Sequence, residues 1–99
     1  MTEIRYIAIR TFCEYHQIDR RLVEAFFEFG LLDPHEDQGE WYLTDEDIEP
    51  LETMLRLHQD LGINLEGIEA IMHMRRRIRH LQQRLHELEY ELRRRGGRG

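Results

Sequence analysis

Lysine is absent from this 99-residue chain, in which all 14 basic residues are arginine. Cysteine occurs once, at Cys13. That excludes an intramolecular disulfide and a thiolate metal cage, and a lone cysteine in an apolar helical pattern reads as a small buried side chain. No apolar run approaches the roughly 20 residues of a membrane span, and no signal-peptide core precedes a small-residue cleavage site. A cytoplasmic location is therefore expected, away from membranes. Also missing are a Gly-rich phosphate loop, a nucleophile elbow and a His-Glu-x-x-His pair. His73 and His80 share a helix face but stand about 10 Å apart along it, too far for one ion. His80 and His86 read as solvated or bordering a coil. Neither catalysis, nor a metal, nor a cofactor is expected.

The chain does have charge, unevenly spread. Residues 1–62 carry 15 Asp/Glu against 5 Arg, a net −10, and residues 63–99 carry 5 against 9, a net +4. The apolar share is 40% and the charged share 34%. That balance suits a small head with an exposed helix better than a tightly packed enzyme.

Glu3 to Ala8 alternates Ile4, Tyr6 and Ala8 against Arg5 and Ile7, which predicts a strand. Helical spacing follows, with Ile9, Phe12, Cys13 and His16 on one side, then a tight turn at Gln17-Ile18. Asp19 is a suitable N-cap for a helix over Arg20 to Phe29, which Gly30 ends. Two short helices across a tight turn make a helix-turn-helix. Leu31 to Pro34 and Glu40 to Leu43 flank an acidic loop, Pro34 to Gly39, and predict a two-stranded wing. Thr44 and Asp47 form a capping box for a helix to about Leu61, kinked or loosened by Pro50 and stopped by Gly62. Asn64 caps a last helix beginning at Leu65. From there Ile71, Met74, Ile78, Leu81, Leu85, Leu88 and Leu92 recur at alternating spacings of three and four, a coiled-coil seam. The organisation expected is a single structural unit: head 1–70, dimerisation helix 71–95, flexible tail 96–99.

From Ile9 to Met72 these residues resemble the head of the MerR superfamily. The match runs through Gly30-Leu31-Leu32-x-Pro34, the wing Gly39, Thr44-Asp45-Glu46-Asp47-Ile48, and Leu61-Gly62-Ile63-Asn64-Leu65-Glu66-x-Ile68. The fold implied is mainly α: a MerR-like winged helix-turn-helix head with a small β-wing and a C-terminal coiled-coil helix. Within that superfamily the chain is most similar to the CbpM chaperone-modulator branch. The short length, Phe12-Cys13, Gly67-Ile68 and Ile78-x-His80-Leu81 carry that likeness. It implies a protein that binds and inhibits the J-domain of a CbpA/DnaJ-like co-chaperone, whose basic helix engages Hsp70.

The MerR pattern places arginines early in the recognition helix, after its tyrosine pair, and on the wing. Those positions here hold Glu24, Glu28 and Trp41. Asp33, Glu36, Asp37 and Glu40 add to the negative charge. DNA-binding proteins gain most of their affinity by neutralising phosphates. Each close like-charge pair costs on the order of 1 to 4 kcal/mol at an effective dielectric near 20. Several such pairs exceed the roughly 4 to 10 kcal/mol that separates specific from non-specific binding. Arg5, Arg10, Arg20 and Arg21 remain but are outnumbered. DNA is an unexpected partner, and a DNA-binding MerR-type regulator is the rival reading. A basic protein surface suits Glu24, Glu28, Asp33, Glu36, Asp37 and Glu40, with Trp41 as an anchor. Phe27 either joins that anchor or packs in the core.

With Ile71, Ile78, Leu85 and Leu92 at position a, an antiparallel pair stacks Ile78 on Leu88 and Leu81 on Leu85 of the second copy. It also sets Arg77 against Glu91 and Arg75 against Glu89, each twice, while Arg84 meets its own copy. A parallel pair offers mainly Arg84 with Glu89. Met74, Ile78, Leu81, Leu85, Leu88 and Leu92 are thus expected to form an antiparallel homodimer; the alternative is a helix folded onto its own head.

Overall fold

The structure is a computed structural model that describes residues 3–96. Its elements run β1 (Tyr6–Ala8), α1 (Ile9–His16), α2 (Arg20–Glu28), β2 (His35–Asp37), β3 (Glu40–Thr44), α3 (Asp45–Gln59) and α4 (Leu65–Gly96). The fold is mainly helical, with one antiparallel sheet in the order β1-β3-β2. The chain divides into two units, one ending at Ile68 and the other beginning at Glu69.

The head is built by local signals that each satisfy backbone groups. Gln17, at φ 55, turns the chain after α1, and the amide of Ile18 donates to the carbonyl of Cys13 at 3.1 Å. Asp19 then caps α2, its Oδ1 accepting from the Arg21 amide at 2.8 Å. The helix ends at left-handed Gly30, φ 79, where Leu31 N–H donates to Phe26 C=O and Gly30 N–H to Phe27 C=O. That is a Schellman closure, and it needs the φ that glycine adopts without cost. At the start of α3, Asp47 Oδ2 accepts from Thr44 N–H at 2.9 Å and Thr44 Oγ1 at 3.0 Å, closing the capping box with Asp in place of Glu. The helix continues through Pro50 to Gln59, two residues short of the Leu61 predicted.

The wing departs from the sequence reading. Leu31 to Pro34 forms no strand; β2 is His35–Asp37, inside the segment predicted to be loop. The reversal is only Gln38-Gly39, both at positive φ (52 and 79). A two-residue loop with that geometry matches the twist of a hairpin. Leu32 is pulled out of the hairpin because it is buried in the core. β1 likewise starts at Tyr6, later than Glu3. Its pairing with β3 (Tyr6↔Thr44, Ile7↔Leu43, Ala8↔Tyr42) gives the wing a third strand.

Ile9, Phe12, Val23, Phe26, Leu43, Leu51, Met54 and Ile68 form the centre of the head's core, with Cys13, Phe27, Leu32 and Leu55 buried around them. Burial pushes the Cys13 thiol above its ordinary value, consistent with an inert structural cysteine. His58 Nδ1 lies 2.9 Å from the Ile63 carbonyl, tying the end of α3 to the following turn.

From Glu69 onward the second unit consists of the rest of α4. The helix extends through Gly96, the first residue of the expected tail; residues 97–99 of that tail lie outside the described residues. No helix among the described residues is long and apolar enough to cross a membrane.

Candidate functional site

The eight residues expected to meet a partner do not form one patch. On α2, Glu24, Phe27 and Glu28 lie at i, i+3 and i+4 and so share a face. Phe27 is only 7% exposed, which corrects its reading as a partner anchor and settles the alternative in favour of the core. Its ring meets Trp41 edge-on, centroids 5.3 Å apart. Trp41 is half-buried, and its Nε1 donates to Glu36 Oε2 at 2.8 Å. Phe27 therefore supports Trp41 from beneath, and Glu36 fixes the indole from the side. An indole held by packing and one hydrogen bond loses little side-chain freedom on binding, which favours it as an anchor.

The rest of the acidic set falls elsewhere. Asp33 is exposed in the segment before β2. In the β2–β3 ladder Glu36 is opposite Trp41, and Asp37 opposite Glu40. Opposed residues share a sheet face and successive ones alternate. Asp37 and Glu40 thus project from the face opposite that of Trp41. The sequence reading pooled these carboxylates, because the register that separates them was misplaced.

The head's arginines explain more. Arg20 Nε is 3.2 Å from Glu24 Oε2, Arg21 Nη2 is 2.8 Å from Asp19 Oδ2, and Arg10 Nη1 is 3.9 Å from Glu40 Oε1. The side-chain and backbone hydrogen bonds from Arg21 hold the Asp19 carboxyl below the ordinary carboxylate value, and Asp19 in turn raises Arg21. Such exposed pairs add little stability. Their consequence is electrostatic: three of the five arginines before residue 62 already face a carboxylate at close range, and a phosphate would compete with each.

A model of the MerR helix-turn-helix family of regulatory proteins matches residues 7–90. The chain belongs to that family. In MerR terms α1 and α2 are the helix-turn-helix and β2–β3 the wing. This MerR head carries carboxylates at Glu24 and Glu28 on the second helix of that motif.

Sequence reasoning missed Tyr6, His35 and Tyr42, which gather on the outer face of the sheet. His35 lies in a segment whose acidic, Pro-led composition reads as loop, and the parity that joins Tyr6 to Tyr42 follows only from the pairing of β1 with β3. Among the described residues no group of three or more His, Cys, Asp or Glu side chains is placed to hold a metal ion.

On α4, Met74, Ile78, Leu81, Leu85, Leu88 and Leu92 are 41% to 70% exposed. They repeat along one stripe of the helix at heptad spacing.

Proposed function

We propose that this protein is a protein-binding modulator that docks the acidic head on the J-domain of a CbpA/DnaJ-like co-chaperone and blocks its Hsp70-docking surface. The observation that carries this reading is the fate of charge on the recognition helix and wing. Glu24 and Glu28 stand on the α2 face, and Arg10, Arg20 and Arg21 are each turned toward a carboxylate. That surface repels a phosphate backbone and attracts a basic helix, steering its approach and orientation. Trp41, braced by Phe27 and Glu36, supplies the apolar anchor that affinity requires. The exposed stripe on α4 supports an antiparallel homodimer, with Arg77 opposite Glu91 and Arg75 opposite Glu89 of the second copy.

The test is a quantitative pull-down with the J-domain, wild type against Glu24→Arg with Glu28→Arg. The double reversal should weaken binding at least about tenfold, the equivalent of losing about 1.4 kcal/mol. Unchanged binding would discard this contact surface. A mobility-shift assay at low salt addresses the DNA-binding alternative, which tight, salt-sensitive duplex binding would favour.

A further inference from the structure

The sheet has a second face that the reading above does not use. The pairs Tyr6↔Thr44, Ala8↔Tyr42, His35↔Tyr42 and Asp37↔Glu40 place Tyr6, Tyr42, His35 and Asp37 on one side, opposite the buried Leu43. Tyr6 is 58% exposed, and its ring meets His35 edge-on with centroids 5.8 Å apart. With Glu36 at the strand edge, these residues line an open hollow of about 670 Å³. His35 Nε2 lies 3.9 Å from Asp47 Oδ2, so a further carboxylate borders the group.

Two tyrosines with carboxylates around them make a poor site for an anion, and the carboxylates would be desolvated without return by an apolar group. The combination fits a cation that stacks on an aromatic ring while donating to an acid at its edge. A guanidinium suits both at once, because it stacks flat on the ring while all its donors stay in the plane toward the acid; an ammonium must divide its three donors between the two.

We propose that this hollow binds the guanidinium of one arginine side chain presented by a basic protein partner, a second recognition point apart from Trp41. The proposal deepens the reading of the head as a docking surface for a basic partner, and takes from it only the sign of that partner's charge.

The test follows the tyrosine and His35 resonances of the full chain by NMR during titration with N-acetyl-arginine methylamide. The citrulline analogue, equal in shape but uncharged, is the control. The arginine compound should give saturable shifts at Tyr6, His35 and Tyr42, and the citrulline compound should bind at least about fivefold more weakly, as should Tyr6→Leu titrated with arginine. Tyr6 lies on a short, exposed edge strand, where leucine keeps the fold; Asp37→Asn removes a charge instead and should weaken binding similarly. Equal responses to the two compounds, or shifts spread over all the head's carboxylates without saturation at the hollow, would overturn the proposal. So would movement of these resonances on deletion of residues 93–99 alone, which would make the chain's own arginines the occupant. If the J-domain pull-down fails while the arginine compound still saturates the hollow, the partner assignment falls and this site stands.

Discussion

Up to Ile68 the chain closes a core of its own: Ile9, Val23, Phe26, Leu43, Leu51, Met54 and Ile68 are fully buried within 68 residues. From Glu69 onward the large apolar side chains from Met74 to Leu92 stay more than 40% exposed. The first region is acidic and the second basic, −10 against +4 when the charge is divided at residue 62. A single helix cannot bury a stripe of its own, so leucines at heptad spacing on an exposed face make sense only against a second surface. One sequence thus contains a region whose core is internal and another whose apolar stripe its own unit leaves uncovered. Substitutions in the two should separate cleanly.

The largest effect is expected in the head. Phe26→Ala removes a fully buried ring beside the Schellman turn that ends α2, and should cost about 3 to 5 kcal/mol in urea denaturation. A loss below about 1 kcal/mol would mean that the head is not held by this core. The matched change on α4 is Leu85→Ala, from a side chain that is 58% exposed. It should leave head unfolding unchanged, since Leu85 is not among the residues of the head's core. In an antiparallel pair the leucine is lost twice, weakening association by about 2 to 4 kcal/mol, on the order of 30- to 1,000-fold by sedimentation equilibrium. A wild-type monomer at micromolar concentration would break the comparison, leaving the stripe to another partner.

The same contrast decides what could be read from sequence. Signals confined to a few residues survived: Asp19 as cap, Gly30 as stop, and Thr44 with Asp47 as capping box. Each depends on backbone geometry within one turn, which residue type largely dictates. The wing did not survive, because its register is a tertiary outcome. His35 and Asp37 have weak strand preference and an acidic, Pro-led context that looks like a loop. Pairing with Tyr42 and Glu40 overrides that preference, and burial of Leu32 displaces the strand predicted before it. One misplaced strand was enough to merge two acidic surfaces and hide the tyrosine face. Phe27 was ambiguous for a related reason. The recognition helix has more apolar residues than one face needs, and the surplus ring is covered by Trp41, twelve or more residues away in sequence and adjacent only in the fold.

The smallest effect expected isolates one charge within the acidic half. A surrounding excess of negative charge favours protonation of any carboxyl, yet Asp19 is shifted downward from 3.8, because hydrogen bonds from the Arg21 side chain and backbone act at close range. Short-range donation to the ionised form outweighs the dispersed field. Asp19→Asn keeps an acceptor for the Arg21 amide and loses only the charge. The wild type should therefore be the more stable at pH 7. A carboxyl whose folded pKa is depressed contributes fully above its unfolded value and loses that contribution as pH falls through the lower folded one. The gap between the two proteins, followed by urea midpoint, should hold down to about pH 4 and close below it. If it instead persisted undiminished at pH 2, the stabilisation would come from cap geometry, and the Arg21 pair would be incidental to the head.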